Sequence, residues 1–178
     1  MQRIMVIGVS AGAGKSTFAA RLGKALDIKV FHLDAFFWKL GWVEASIEEF
    51  SQSQQEIIKN HNSWIVEGNY TATFDLRAEK ADTIIYLELP LRVCLYRVIK
   101  RWLTNLGNRR PDLGGECTER MEWAFLKFII TTYRARKKAM KQRLDFYQED
   151  KLVVRLKGQR AIEYFIREIE RQKSSSAS

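Results

Sequence analysis

The sequence is poor in cysteine and has no long apolar run, and each absence narrows what it can be. Cys94 and Cys117 stand 23 positions apart in a chain of 178 residues. Two thiols are too few for a disulfide framework, and they lack the Cys-x-x-Cys pairing of a metal or redox site. No apolar stretch reaches the roughly 18 residues of a membrane span. Met1 to Gly8 run directly into a strand-like pattern and lack a signal-peptide layout. No internal repeat and no linker interrupts the chain. A soluble, cytoplasmic protein with no membrane partner is expected. What remains, 46% hydrophobic residues in 20.8 kDa, suits one domain with a substantial core.

The net charge of +9 comes from 30 basic and 21 acidic residues, and it is unevenly placed. Arg97, Lys100, Arg101, Arg109 and Arg110 form one stretch without an acidic residue. Arg134, Arg136, Lys137, Lys138, Lys141 and Arg143 form a second. These 11 cations account for the whole excess, since the rest of the chain carries 19 basic and 21 acidic residues. Two basic segments can converge on a polyanion as small as a nucleoside triphosphate or as large as a nucleic acid.

Hydrophobic periodicity predicts strands at Ile4 to Ile7, Ile28 to Leu33, Trp64 to Val66, Thr83 to Leu89 and Leu152 to Leu156. Helices are predicted over Thr17 to Leu26, from the capping box Ser46-Ile47-Glu48-Glu49 to about Asn60, from Pro90 through Leu103, from Glu119 to about Tyr147, and from Gly158 to near Arg171. Alternating strands and helices imply a parallel, three-layer α/β domain over residues 1–171. Residues 172–178 are expected to be a disordered tail, and the segment around 104–118 a small lid. In such sheets ligands sit beyond the carboxyl ends of the strands. Gly8 to Ser16, Asp34, and Glu67 to Tyr70 all fall there.

The most informative segment is Gly8-Val9-Ser10-Ala11-Gly12-Ala13-Gly14-Lys15-Ser16-Thr17. A strand, a glycine-rich turn and a helix start direct backbone N–H groups and a favourable dipole at phosphate oxygens. Gly8, Ser10, Ala11, Gly12, Ala13 and Gly14 form the cradle. Lys15 reaches the β- and γ-phosphates, the Ser16 hydroxyl ligates Mg²⁺, and Thr17 adds a weaker contact. The strict pattern places glycine where this chain has Val9, with Gly8 one residue earlier.

Asp34 is placed to orient an acceptor hydroxyl, accept its proton or hold a metal-bound water, or else to serve as an N-cap or form an Asx turn. Trp38 and Trp42 follow within an aromatic cluster and can stack on a planar acceptor or pack internally. Glu67, Asn69 and Tyr70 offer polar groups to the same region. His32 reads as a structural histidine inside an apolar run. Arg101, Arg109 and Arg110 are the leading candidates to neutralise charge on a transferring phosphoryl group.

The segments Ile7 to Thr17, His32-Leu33-Asp34 with Trp38 and Gly41-Trp42, Trp64 to Tyr70, Ala81 to Leu87, and Arg109 to Asp112 ahead of Glu122-Trp123 resemble the adenylate-kinase-like P-loop proteins. Within them the pattern is similar to the bacterial DNA topology modulation or flagellar-regulation related proteins. The resemblance implies the P-loop nucleoside triphosphate hydrolase fold, with a five-stranded parallel sheet ordered 2-3-1-4-5, nucleotide binding and phosphotransfer. ATP also follows from it, since no Asn-Lys-x-Asp base-reading motif is present. The leading expectation is an ATP- and Mg²⁺-dependent kinase acting on a nucleoside, nucleotide or similar small acceptor. The alternatives are a nucleotide-binding regulator of DNA topology or gene expression that contacts nucleic acid through its basic segments, and a nucleotide binder without turnover. Neither the acceptor nor the oligomeric state is legible in the sequence.

Overall fold

A computed structural model describes residues 1–104 and 123–176. β1 (Arg3–Gly8) is buried from Ile4 onward and leads through the glycine-rich turn into α1 (Lys15–Leu26). Asp27, in the left-handed region, ends that helix, and its N–H donates to the Gly23 carbonyl. The chain then enters β2 (Val30–His32), two residues later than the apolar run suggests, because Ile28 is still tied back to Gly23. A single turn, α2 (Asp34–Phe37), precedes a short antiparallel hairpin of β3 (Trp38–Lys39) and β4 (Val43–Glu44). α3 (Ile47–Asn60) opens on the complete capping box of Ser46 and Glu49.

β5 (Trp64–Glu67) is followed by a 3-10 turn at Thr71–Thr73 and α4 (Phe74–Lys80). Next come β6 (Thr83–Glu88), α5 (Leu91–Thr104), α6 (Trp123–Tyr147), β7 (Leu152–Lys157) and α7 (Gly158–Ser176). The last helix overturns the expectation of a disordered tail from residue 172. Its final turns are held by Lys173 Nζ donating to the Lys24 carbonyl, and by the Ser174 and Ser175 hydroxyls donating to carbonyls four residues back. Arg109, Arg110, Cys117 and most of the expected lid lie outside the described residues.

The main sheet is parallel throughout and ordered β2-β5-β1-β6-β7. With the hairpin strands set aside this is the 2-3-1-4-5 order expected. Ile4 to Ile7, Trp64 to Val66 and Ile84 to Leu87 form its buried centre, as continuous apolar strands covered on both faces should. The register pairs Val6 with Glu67 and Glu67 with His32. The carboxyl ends of β2, β5 and β1 therefore deliver three polar segments to one edge of the sheet.

Candidate active site

The turn after β1 is shaped by two glycines in the left-handed region, Gly12 (φ 77°) and Gly14 (φ 85°). A Cβ on Gly12 would overlap the Cys94 backbone carbonyl on α5, so only glycine lets the loop seat there. Gly14 caps α1 without any side-chain hydrogen bond, which leaves the first N–H groups of the helix to a ligand. A cavity of about 510 Å³ opens over Ala11 to Phe18 and is closed by Arg97, Gln159 and Glu163. Gly8 and Ser10 do not line it. Gly8 N–H donates to Asn69 Oδ1 at 2.9 Å, and Ser10 is buried under the loop with its carbonyl facing Ala13 N–H. Of the residues expected to cradle phosphate, Ala11 to Thr17 line the cavity, while Gly8 and Ser10 lie outside its lining.

Glu67 is the electrostatic centre of this cavity. Its Oε2 accepts from Ser16 Oγ at 3.1 Å and lies 3.0 Å from His32 Nδ1, while Oε1 is 3.7 Å from Lys15 Nζ. Burial alone would push this carboxyl up. The His32 hydrogen bond, the Lys15 ammonium and the Ser16 hydroxyl outweigh it and hold the group below the usual carboxylate range. An ionised carboxylate beside a hydroxyl at the head of a phosphate loop is an oxygen donor set that suits Mg²⁺. Glu67 lines this cavity together with Lys15 and Ser16. His32, read from sequence as structural, is the residue that reasoning missed. Only the β2–β5 register reveals it, since it places His32 beside Glu67.

A second cavity, of about 590 Å³, adjoins the first. Its walls include Trp38, Trp42, Asn69, Tyr70, Phe125 and Arg136. Trp38 and Trp42 meet edge to face with centroids 5.3 Å apart, and Trp42 is held at φ 66°. Tyr70 packs against Phe37 and Phe50, each 4.7 Å away, and its hydroxyl donates to Asp34 Oδ1 at 2.7 Å. Burial and the Asp34 charge push the Tyr70 phenol far above its ordinary range, so it stays a donor. Asp34 is not an N-cap, since Leu33 holds that position in α2. Lys15, Asp34 and Arg101 line both cavities and mark the boundary between them.

Arg77 supports this arrangement from below and had no sequence signal. It is 0% exposed, yet makes no ion pair among the described residues. Its guanidinium donates to the carbonyls of Gly68 (2.9 Å), Tyr70 (2.8 Å) and Thr73 (3.3 Å). Burial pushes its pKa down to about 10, which keeps it charged near neutrality. The loop it grips carries Asn69 to the phosphate loop and Tyr70 to Asp34.

Two cations of the second basic stretch have partners within the protein. Lys137 pairs with Glu88 at 2.8 Å, and Arg143 lies over the Phe74 ring at 5.0 Å. No helix among the described residues is long and apolar enough to cross a membrane.

Comparison with family models and with curated proteins finds no match. Among solved structures, the chain is similar to shikimate kinase from Bacteroides thetaiotaomicron, with TM-score 0.50 and 20% identity over 96% of this chain and 97% of that one. It is also similar to shikimate kinase from Acinetobacter baumannii in complex with shikimate, with TM-score 0.54 and 15% identity over 99% and 94%. These likenesses establish the three-layer α/β P-loop kinase fold. They overturn the assignment to the DNA topology modulation and flagellar-regulation related proteins.

Proposed function

We propose that the chain is an ATP-dependent phosphotransferase that moves the γ-phosphoryl group of Mg-ATP to a small nucleoside-, nucleotide- or hydroxy-acid-like acceptor. The observation that carries this reading is the pair of adjoining cavities that share Lys15, Asp34 and Arg101. A hydrolase or a passive nucleotide binder has no use for a second walled cavity beside its phosphate loop. The kinase fold of the solved neighbours, and the shikimate bound to one of them, support the same reading.

ATP supplies the transferable group, and Mg²⁺ neutralises phosphate charge. Ala11 to Thr17 hold the phosphates, with Ser16 and Glu67 as the oxygen donors nearest the metal's place. Lys15 and Arg101 face the transferred group, where charge develops as it moves. Tyr70 fixes Asp34 so that one carboxylate oxygen faces the acceptor. The acceptor hydroxyl attacks phosphorus, its proton passes to Asp34, and the bond to the bridging oxygen breaks to release ADP. Residues 1–171 act here as one nucleotide-binding unit. Arg109 and Arg110 belong to the same proposal as further cations for the transferred group.

The test is Mg²⁺-dependent ADP release from ATP over a panel of nucleosides, nucleoside monophosphates and small hydroxy acids. Stimulation by one acceptor class, abolished in Lys15→Ala, is expected. ADP release that no acceptor increases would defeat the proposal.

A further inference from the structure

The hairpin after α2 gives the second cavity an aromatic wall with a negative charge. β3 and β4 pair Trp38 with Glu44 and Lys39 with Val43. Cross-strand partners share a face, and neighbours along a strand take opposite faces. Trp38 and Glu44 therefore point one way, and Lys39 and Val43 the other. The cavity lining follows this alternation, since it includes Trp38, Trp42 and Glu44 but neither Lys39 nor Val43. Lys39 is the single basic residue from Trp38 to Glu44, and it pairs with Glu49 at 2.7 Å on the outer face. Glu44 makes no hydrogen bond or ion pair among the described residues.

The turn itself is strained in favour of the aromatic wall. Gly41 (φ 78°) and Trp42 (φ 66°) both adopt the left-handed region, which suits glycine and is costly for tryptophan. That backbone holds the Trp42 ring edge to face with Trp38, at 5.3 Å between centroids. The remaining charges of the cavity are shared with other sites. Lys15, Asp34 and Arg101 also line the nucleotide-side cavity. Arg136 lies over the Phe128 ring and also lines a smaller cavity of about 270 Å³ with Met140 and Arg143. Glu44 lines neither of these. Burial and the Asp34 charge push the Tyr70 phenol up, and the Glu44 charge adds to them from the hairpin side. Two indole rings beside a carboxylate with no cation of its own suit an organic ammonium group, because the ring faces attract the cation and the carboxylate neutralises it.

We propose that Trp38, Trp42 and Glu44 form an ammonium subsite, and that the acceptor is an amino alcohol whose hydroxyl lies at Asp34 and whose ammonium lies at the hairpin wall. This rests on the phosphotransferase reading and narrows it to acceptors that carry a cation. The hydroxyl oxygen attacks phosphorus and gives its proton to Asp34 as ADP leaves, while the ammonium stays bound and takes no part in the bond changes. Neutral sugars and neutral nucleosides are then poor acceptors.

The experiment uses the full chain with excess Mg-ADP and follows calorimetric heat on titration with two matched pairs. Choline and 3,3-dimethylbutan-1-ol compare a quaternary ammonium with its neutral isostere. Protonated 2-amino-1-phenylethanol and 1-phenylpropan-1-ol do the same for a primary ammonium. Wild type, Glu44→Gln, Trp38→Leu and the charge control Glu48→Gln are compared. The cation of at least one pair should bind about tenfold or more tighter than its neutral partner. That preference should vanish in Glu44→Gln, shrink in Trp38→Leu and be unchanged in Glu48→Gln. The pair that responds identifies a quaternary or a primary ammonium as the group recognised. Equal binding of cation and neutral partner, a preference that Glu44→Gln or Trp38→Leu leaves undiminished, or no binding by any of the four probes overturns the proposal. A cation that binds through Glu44, yet yields no phosphorylated product when ATP replaces ADP, leaves the ammonium subsite standing and removes the phosphotransferase reading instead.

Discussion

Replacing Arg77 with methionine keeps most of the buried stem and removes every donor. The carbonyls of Gly68, Tyr70 and Thr73 then lose their partners. A buried carbonyl left unpaired costs about 1 kcal/mol or more, for a gross loss of about 3 kcal/mol. Relief from burying a charge offsets part of this, so the net loss is about 2–3 kcal/mol. For a chain of this size each kcal/mol lowers Tm by about 2–4 °C, which gives a drop of about 4–12 °C in thermal unfolding followed by circular dichroism. The loss also has a functional direction. The loop that Arg77 grips positions Tyr70 on Asp34, so surviving folded protein should show a raised acceptor KM, with ATP affinity changed less. Arg77→Lys, which keeps the charge without the planar fork, should fall between. A Tm within about 1 °C of wild type would refute the assignment of Arg77 as the loop's anchor.

Three further outcomes follow from the site. Glu67 is held below its ordinary value of 4.5, so its stabilisation is present above that pH and lost as pH falls through its folded value. The Tm difference between wild type and Glu67→Gln should therefore be largest near neutrality and shrink below pH 4.5, and a difference that grows on acidification would contradict the charged assignment. Gly12→Ala forces a side chain at φ 77° against the Cys94 carbonyl. The left-handed backbone alone costs about 1–2 kcal/mol, so a titration with fluorescent ATP should show affinity reduced about tenfold or more, and unchanged affinity would remove the close-approach argument. Tyr70→Phe retains the ring packing but deletes the 2.7 Å bond to Asp34. Steady-state kinetics should show kcat/KM for the acceptor down about five- to tenfold with ATP affinity intact, and a parallel loss of both would point to general disruption.

The elements that sequence reveals are those whose signal is local. β1, β6 and β7 announce themselves as apolar runs, and Ser46 with Glu49 as a capping box. The glycine-rich turn between β1 and α1 is equally legible, because glycine spacing and the Lys15-Ser16 pair are contiguous. Contacts set by sheet order are not. His32 meets Glu67 only because β2 lies beside β5 in that register, and no spacing along the chain encodes it. Arg77 sits in a short helix of mixed character, where an arginine reads as solvated until its three carbonyl partners fold over it. Arg136 belongs to a charge run whose members look alike in sequence and diverge in space, with Lys137 turned to Glu88 and Arg136 to the Phe128 ring. The family resemblance misled for a related reason. Its pieces are the phosphate loop and strand ends, which follow from the chemistry of nucleotide binding and do not discriminate among proteins that share it.

The most direct test of the phosphotransferase account follows phosphorus itself, by ³¹P NMR and mass spectrometry, in a reaction of Mg-ATP with the acceptor that stimulates ADP release. The account predicts one phosphorylated acceptor for each ADP formed. It further predicts that Asp34→Asn binds ATP as wild type does, while transfer slows about 100-fold or more. ADP formed with inorganic phosphate as its sole partner, or transfer at the wild-type rate in Asp34→Asn, would contradict it.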